Sequence, residues 1–164
     1  ELPMSTDHKY LARQVVLVGY GRVGRRIAAA LTAHDIPFVV AEQNRDLVEA
    51  LRKAGMAAVY GDAVDPSVLI QAHIARAYML VIATPNTLDV RQIIHTARTL
   101  NPDIETVVRG HNEEEAGLLE QESGGKVFLG EETLAAAMTE HVLERARERN
   151  VPHTVPGALH QHHA

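Results

Sequence analysis

The most constraining feature of this sequence is a short apolar run followed at once by three regularly spaced glycines. The run Val15-Val16-Leu17-Val18 is typical of a strand buried on both faces of a parallel sheet. The segment Gly19-Tyr20-Gly21-Arg22-Val23-Gly24 follows, and apolar residues then recur every four positions, which predicts a helix. Glycines of this spacing between a strand and a helix predict a loop that binds phosphate with its backbone amides and the helix dipole.

Each glycine has a separate role in a loop of this type. Gly19 permits a tight turn, Gly21 lets a phosphate approach the backbone, and Gly24 lets the helix pack against the strand. Arg22 lies inside the loop, where it either reaches the phosphate or projects into solvent.

Strands and helices alternate along the rest of the chain. This alternation predicts an α/β fold, a Rossmann-like doubly wound six-stranded parallel sheet in the order 3-2-1-4-5-6. We predict strands at about residues 14–18, 38–41, 57–60, 79–83, 105–109 and 126–129, and the later helices at about 46–54, 66–73, 87–100, 113–121 and 131–149.

The chain of 164 residues, 46% of them hydrophobic, is long enough for one sizeable core and short for two domains. We expect a linker or leading arm at residues 1–13, a nucleotide-binding domain at 14–149, and a disordered or tag-like tail at 150–164 that contains four histidines.

Composition argues against several classes of function. The net charge of −5 and the scattered lysines and arginines argue against a nucleic-acid partner. The chain has no cysteine, which excludes disulfides, thiolate zinc sites and cysteine nucleophiles. The ten histidines show no metal-ligand set, and no apolar run is long enough to cross a membrane. We therefore expect no metal site, no catalytic residue and a chain that is soluble by itself.

An acidic residue, Glu42, ends the second predicted strand 23 positions beyond Gly19. In dinucleotide-binding folds an acid at about this spacing accepts hydrogen bonds from the ribose hydroxyls. Its charge would repel a 2′-phosphate, so we expect an unphosphorylated adenosine ribose. Arg45 leaves one alternative open, because it either pairs with such a phosphate or remains solvated at the start of a helix.

Further candidates follow the third, fourth and fifth predicted strands. Asp62 and Ala63 either meet the adenine edge or form a turn and helix cap, and Thr84 and Asn86 either cap the next helix or contact the ligand. Arg109 either binds phosphate or an acidic effector, or pairs with the glutamates at positions 113–115.

Taken together these motifs resemble those of the TrkA-N (RCK-type, regulator of potassium conductance) domain. Over about residues 13–149 the chain is most similar to the cytoplasmic C-terminal domain of Kef-type monovalent cation/proton antiporters. The motifs that carry the resemblance are the glycine loop, the strand-ending Glu42, Tyr60-Gly61-Asp62-Ala63, Val81-Ile82-Ala83-Thr84-Pro85-Asn86 and Val107-Val108-Arg109-Gly110-His111-Asn112.

The resemblance implies a homodimeric gating module, attached through its N-terminus to a transmembrane antiporter domain at the cytoplasmic face of the bacterial inner membrane. In such families an adenine nucleotide, NAD(H), AMP or ATP, occupies the glycine-loop cleft, and we expect NAD(H) or AMP before ATP. The residues implied as nucleotide contacts are Gly19, Gly21, Arg22, Val23, Gly24, Glu42, Asp62, Ala63, Ala83, Thr84, Asn86 and Arg109.

The sequence is also compatible with two other functions. A small NAD-dependent oxidoreductase, or a fragment of one, would share the glycine loop but needs a nicotinamide pocket and a substrate. A separate soluble subunit that docks on a transporter would share every motif. A dimer would use the last helix, where Leu134, Met138, Val142 and Ala146 form one stripe, although the same stripe is also suited to packing on the sheet.

Overall fold

The computed structural model describes residues 13–84, 89–110 and 112–150. The strands β1 to β6 span Val15–Val18, Phe38–Glu42, Ala58–Tyr60, Met79–Ile82, Glu105–Gly110 and Lys126–Leu129. The helices α1 to α6 span Arg22–Ala33, Arg45–Lys53, Pro66–Gln71, Val90–Leu100, Glu113–Ser123 and Gly130–Asn150.

The sheet confirms the predicted fold class. Its six strands have the order β3-β2-β1-β4-β5-β6, and the four strand pairs β1–β2, β1–β4, β2–β3 and β4–β5 are parallel. Helices cover both faces of the sheet, as in a Rossmann fold. The central strand β1 is buried along its whole length because it has neighbours on both edges and helices on both faces.

The core divides between the two faces of the sheet. Because strand side chains alternate, Val15 and Leu17 point to one face, where Val48 of α2 belongs to the same buried cluster. Val16 points to the other face and is fully buried, as is Leu69 of α3. Burial of these apolar side chains supplies most of the stabilisation, at about 25 cal/mol for each Å² removed from water.

Two local expectations were wrong. The third helix does not continue to residue 73, because it ends at Gln71 and a 3-10 turn follows at Ile74–Arg76. The Asn101 side-chain amide holds this turn through bonds to the carbonyls of Ile74 and Ala77, at 3.0 and 2.6 Å. Long-range capping of this kind leaves no periodic signal in the sequence.

The buried face of α1 is also rotated relative to the predicted one, formed by the apolar residues that recur every four positions, Val23, Ile27 and Leu31. Val23 is 38% exposed, whereas Gly24 and Ala28 are buried. Ile27 and Leu31 remain partly buried against the core, as their spacing indicates. The rotation follows from the close approach of Gly24 to the end of β1, which fixes the side of the helix that faces the sheet.

The chain divides into two compact units, Glu1–Phe128 and Leu129–Ala164. In the second unit, α6 exposes the large apolar side chains of Met138, Val142 and Leu143. No helix in the described ranges is both long and apolar enough to cross a membrane. Most of the predicted linker and nearly all of the predicted tail lie outside the described residues.

Candidate functional site

The strand register brings most of the sequence-predicted site residues to one edge of the sheet. Val18 lies beside Ala41 of β2 and Ile82 of β4, and Ile82 lies beside Val108 of β5. The residues that follow these four positions are Gly19, Glu42, Ala83 and Arg109. They therefore form a row at the carboxyl ends of the strands, the edge where α/β sheets bind their ligands.

The glycine loop has the geometry that its sequence predicts. Gly19 has a φ of +97°, which favours glycine, and an added Cβ would lie 3.0 Å from the Thr84 nitrogen. A Cβ on Gly24 would lie 2.0 Å from the carbonyl oxygen of Gly19. A Cβ on Gly21 would meet no atom within 4 Å. Two glycines thus allow close packing, and the third leaves open space in front of the loop.

The first turn of α1 faces this open space with unpaired backbone donors. Gly21 is the N-cap residue, and the first intrahelical bond runs from the Arg25 amide to the Gly21 carbonyl at 2.9 Å. The amides of Arg22, Val23 and Gly24 precede that bond, so the helix offers them no acceptor. Such amides, together with the positive end of the helix dipole, bind anions such as phosphate.

The carboxylate of Glu42 connects the glycine loop to the loop after β2. One oxygen accepts from the Tyr20 amide at 2.9 Å, and the other accepts from the Asn44 amide at 2.7 Å. Each carboxylate oxygen has a second lone pair, so both can still accept a hydroxyl hydrogen. Glu42 is therefore able to hold the loop and to bind a diol at the same time.

A cavity of about 250 Å³ opens at this edge of the sheet. Five of the predicted residues line it, namely Gly19, Glu42, Asp62, Ala63 and Thr84. The other lining residues are Val18, Ala41, Gln43, Gly61, Val64, Asp89 and Ile93. Polar side chains lie among small apolar residues in this lining, which suits a ligand with several polar groups.

The loop after β3 forms one wall of the cavity. The Val64 amide donates to the Asp62 carboxylate at 3.0 Å, which is a local turn of the kind expected from the sequence. Ala63 is 2% exposed and turns its small side chain inward. Asp62 itself is exposed, so its second oxygen remains accessible to a ligand.

Arg45 has a neighbour that the sequence did not indicate. Its guanidinium group lies over the Tyr60 ring at 4.7 Å, a cation–π contact at the end of β3. It does not line the cavity. From the sequence we expected Arg45 either to pair with a 2′-phosphate or to be solvated. The contact with Tyr60 was not expected.

The remaining predicted residues lie around the cavity rather than in its walls. Ala83 is buried, and Gly24 is buried behind the loop. Arg22 and Val23 are exposed at the start of α1, and Arg109 is half-buried in β5. Asn86 lies outside the described residues.

Two polar residues of the cavity, Gln43 and Asp89, were not predicted from the sequence. Gln43 directly follows Glu42, and Asp89 is the N-cap residue of α4, which begins at Val90. The expected helix start near residue 87 placed Asp89 inside the helix; residues 85–88 are outside the described part of the chain. The signal that could have identified Asp89 is an acidic residue in the first turn of the predicted helix that follows the fourth strand. Within the described ranges, no group of three or more acidic or histidine side chains is arranged to hold a metal ion.

The family model of the TrkA-N domain matches residues 15–129, which include the glycine loop and every strand of the sheet. The chain belongs to the TrkA-N domain family. It is 37% identical over 130 residues, 79% of its length, to the cation/proton antiporter YbaL of Escherichia coli K12. It is 33% identical over 135 residues, 81% of its length, to the K⁺ efflux antiporter KefB of Alkalimonas amylolytica. The chain covers 23% and 20% of these two relatives, so it matches about a fifth to a quarter of their length.

Solved structures give the same result for the fold. The TrkA-N domain of the inner membrane protein YbaL from E. coli superposes with a TM-score of 0.75 at 38% identity, covering 79% of this chain and 96% of that one. The AMP-bound C-terminal domain of Kef from Shewanella denitrificans has a TM-score of 0.71 at 20% identity, over 82% and 81% of the two chains. The NAD-bound GsuK channel has a TM-score of 0.63 at 24% identity, over 77% and 22%. The last two likenesses concern the fold alone.

Proposed function

We propose that this chain is a nucleotide-binding regulatory domain that gates a membrane cation/proton antiporter. The observation that carries the proposal is the junction of the unpaired helix amides that follow the glycine loop with the Glu42 carboxylate, which accepts from the Tyr20 amide of that loop and lines the cavity with Gly19. A phosphate needs hydrogen-bond donors such as the helix amides, and a ribose needs an acceptor such as the Glu42 carboxylate. Membership of the TrkA-N family and the likeness to YbaL and KefB support the assignment to an antiporter.

The ligand of this cavity is an adenine nucleotide with an unphosphorylated ribose. We assign NAD(H) or AMP first and ATP after them. Kef from S. denitrificans in its AMP-bound form and the GsuK channel bound to NAD support this class of ligand. The negative charge of Glu42 beside the ribose position disfavours a 2′-phosphate.

The residue roles follow from position along the sheet edge. Gly19, Gly21 and Gly24 shape the phosphate loop, and the amides of Arg22 and Val23 bind the phosphate. The residues at the other strand ends complete the cleft: Glu42 for the ribose, Asp62 and Ala63 for adenine, and Ala83, Thr84, Asn86 and Arg109 for the ligand's remaining groups.

Gating requires the nucleotide to bind two conformations with different free energies. A difference of about 1–3 kcal/mol shifts such an equilibrium enough to regulate transport. The loops after β1, β2 and β4 line one cavity, so a bound nucleotide contacts several segments at once. We infer regulation without catalysis, at the cytoplasmic face of the inner membrane. Oxidation or reduction of NAD(H) by the purified domain would contradict this inference and favour an oxidoreductase.

Replacing Glu42 by alanine should weaken nucleotide binding about tenfold to a hundredfold, measured by calorimetric titration with AMP, ATP, NAD, NADH and NADP. The change removes the ribose acceptor and releases the Tyr20 and Asn44 amides. The matched control is Glu49→Ala, an exposed carboxylate on α2. A folded wild-type domain that binds none of the five nucleotides would refute the proposed function.

We further propose that the domain is a homodimer that uses α6. Met138 and Val142 lie one helical turn apart and are 59% and 61% exposed. Apolar side chains at this spacing form a stripe suited to a partner helix. In sedimentation at micromolar concentration we expect a dimer for the wild type and a monomer for Met138→Glu/Val142→Glu. A wild-type monomer would contradict the dimer without affecting the nucleotide proposal.

A further inference from the structure

The charge of the cavity wall is strongly biased. Among its lining residues Glu42, Asp62 and Asp89 are acidic, and none is a lysine, arginine or histidine. The charged side chains that line the cavity are therefore all acidic and repel a phosphate, whereas Arg22 of the glycine loop and Arg109 of β5 lie outside this lining. Such a wall tolerates a single phosphate at the loop much better than a chain of phosphates.

Two of these carboxylates lie on opposite sides of the glycine loop. The sheet order places β1 between β2 and β4, so Glu42, the last residue of β2, lies on one side of β1, and Asp89, at the start of the helix that follows β4, comes from the other side. Adjacent strands are about 4.8 Å apart. Gly19, Glu42 and Asp89 line the same cavity, so a ligand whose phosphate lay at the loop could reach both carboxylates.

The carboxylate of Asp89 is not used to cap its helix. Asp89 is the N-cap residue of α4, and only its backbone carbonyl takes part, accepting from the Ile93 amide at 3.0 Å. By contrast, the N-cap side chains of Asn44, Asp65 and Asn112 each accept from a backbone amide of their helix. The half-buried Asp89 lines the cavity, and among the described residues its carboxylate has no hydrogen-bond partner.

We propose that Asp89 determines which nucleotides enter the site. Its charge repels the terminal phosphates of ATP, which together carry more negative charge than the one additional phosphate of a dinucleotide, and its oxygens accept from the second ribose of a dinucleotide. The site is thus selective for nucleoside monophosphates and dinucleotides over nucleoside triphosphates. The inference rests on the proposed nucleotide function and assigns its ligand class.

The test is calorimetric titration of the whole chain with AMP, ATP and NAD in the presence of EDTA, for wild type and Asp89→Asn. Asparagine is also a good N-cap residue, so the variant should keep its fold, which a thermal melt checks. We expect ATP to bind about tenfold more weakly than AMP to the wild type. In Asp89→Asn this ratio should fall to about one, with AMP affinity changed by less than about threefold and NAD affinity lowered about fivefold.

The control is Asp103→Asn, which removes the same charge from an exposed turn before β5, at the opposite edge of the sheet. It should leave the ratio of ATP to AMP affinity unchanged. An unchanged ratio in Asp89→Asn, or an equal shift in Asp103→Asn, would overturn the role of Asp89 while nucleotide binding itself stands. Absence of binding by the wild type would overturn both proposals.

Discussion

Replacing Gly24 by alanine should lower the free energy of unfolding by about 3 kcal/mol or more, at the upper end of overpacking effects. The added Cβ would lie 2.0 Å from the Gly19 carbonyl oxygen and 2.9 Å from its carbon. Both are backbone atoms at the end of the central strand, which is buried and paired on both edges. The clash cannot be relieved by a side-chain rotation, so α1 must move away from the sheet.

The matched control is Gly117→Ala in α5. A Cβ there meets no atom within 4 Å, and Gly117 is exposed inside a helix. Alanine should therefore raise the free energy of unfolding by about 0.5–1 kcal/mol, since glycine has a greater entropic cost in a helix. Urea unfolding of both variants measures the difference. A Gly24→Ala variant as stable as Gly117→Ala would show that α1 does not need this close approach.

Replacing Gly21 by aspartate should abolish nucleotide binding and leave the domain folded. Gly21 has φ −82° and ψ −156°, an extended conformation open to other residues, and an added side chain meets no atom within 4 Å. Aspartate is also a favoured N-cap residue, so the fold should be as stable as the wild type. Its carboxylate would occupy the phosphate position and repel it, lowering affinity by about a hundredfold or more.

The uncharged variant Gly21→Asn separates charge from volume. Asparagine has nearly the same size and capping ability, so we expect it to weaken binding by only about tenfold. Calorimetric titration with AMP and a thermal melt of each variant provide the comparison. Nucleotide affinity in Gly21→Asp equal to that of the wild type would show that the phosphate does not bind at this loop.

The two predictions test different consequences of one motif. Gly24 is required for the helix to reach the strand, so its replacement affects stability first and binding as a result. Gly21 is required only for the ligand to reach the loop. We expect Gly24→Ala to lose both stability and nucleotide binding, and Gly21→Asp to lose nucleotide binding alone. That result would show that the structural and the ligand-binding roles of the motif are separate.

The fold class and five of the residues that line the cavity could be predicted from the sequence alone. Apolar runs such as that of β1, followed by helical spacing, recur six times, and buried parallel strands joined by right-handed crossovers allow few other arrangements. The glycine loop, Glu42 and Asp62 could be placed at one edge because the carboxyl ends of parallel strands meet there. These are local signals, carried by periodicity and by residue type.

Which side chains share the cavity, and what else they contact, depends on how distant segments pack together in three dimensions. The two amides bound by Glu42, the position of Arg45 over Tyr60 and the place of Asp89 in the cavity wall all depend on segments distant in sequence. The rotation of α1 that exposes Val23 follows from a backbone contact between Gly24 and Gly19. Such features depend on distances of a few ångströms between elements, and no periodicity of a single element encodes them.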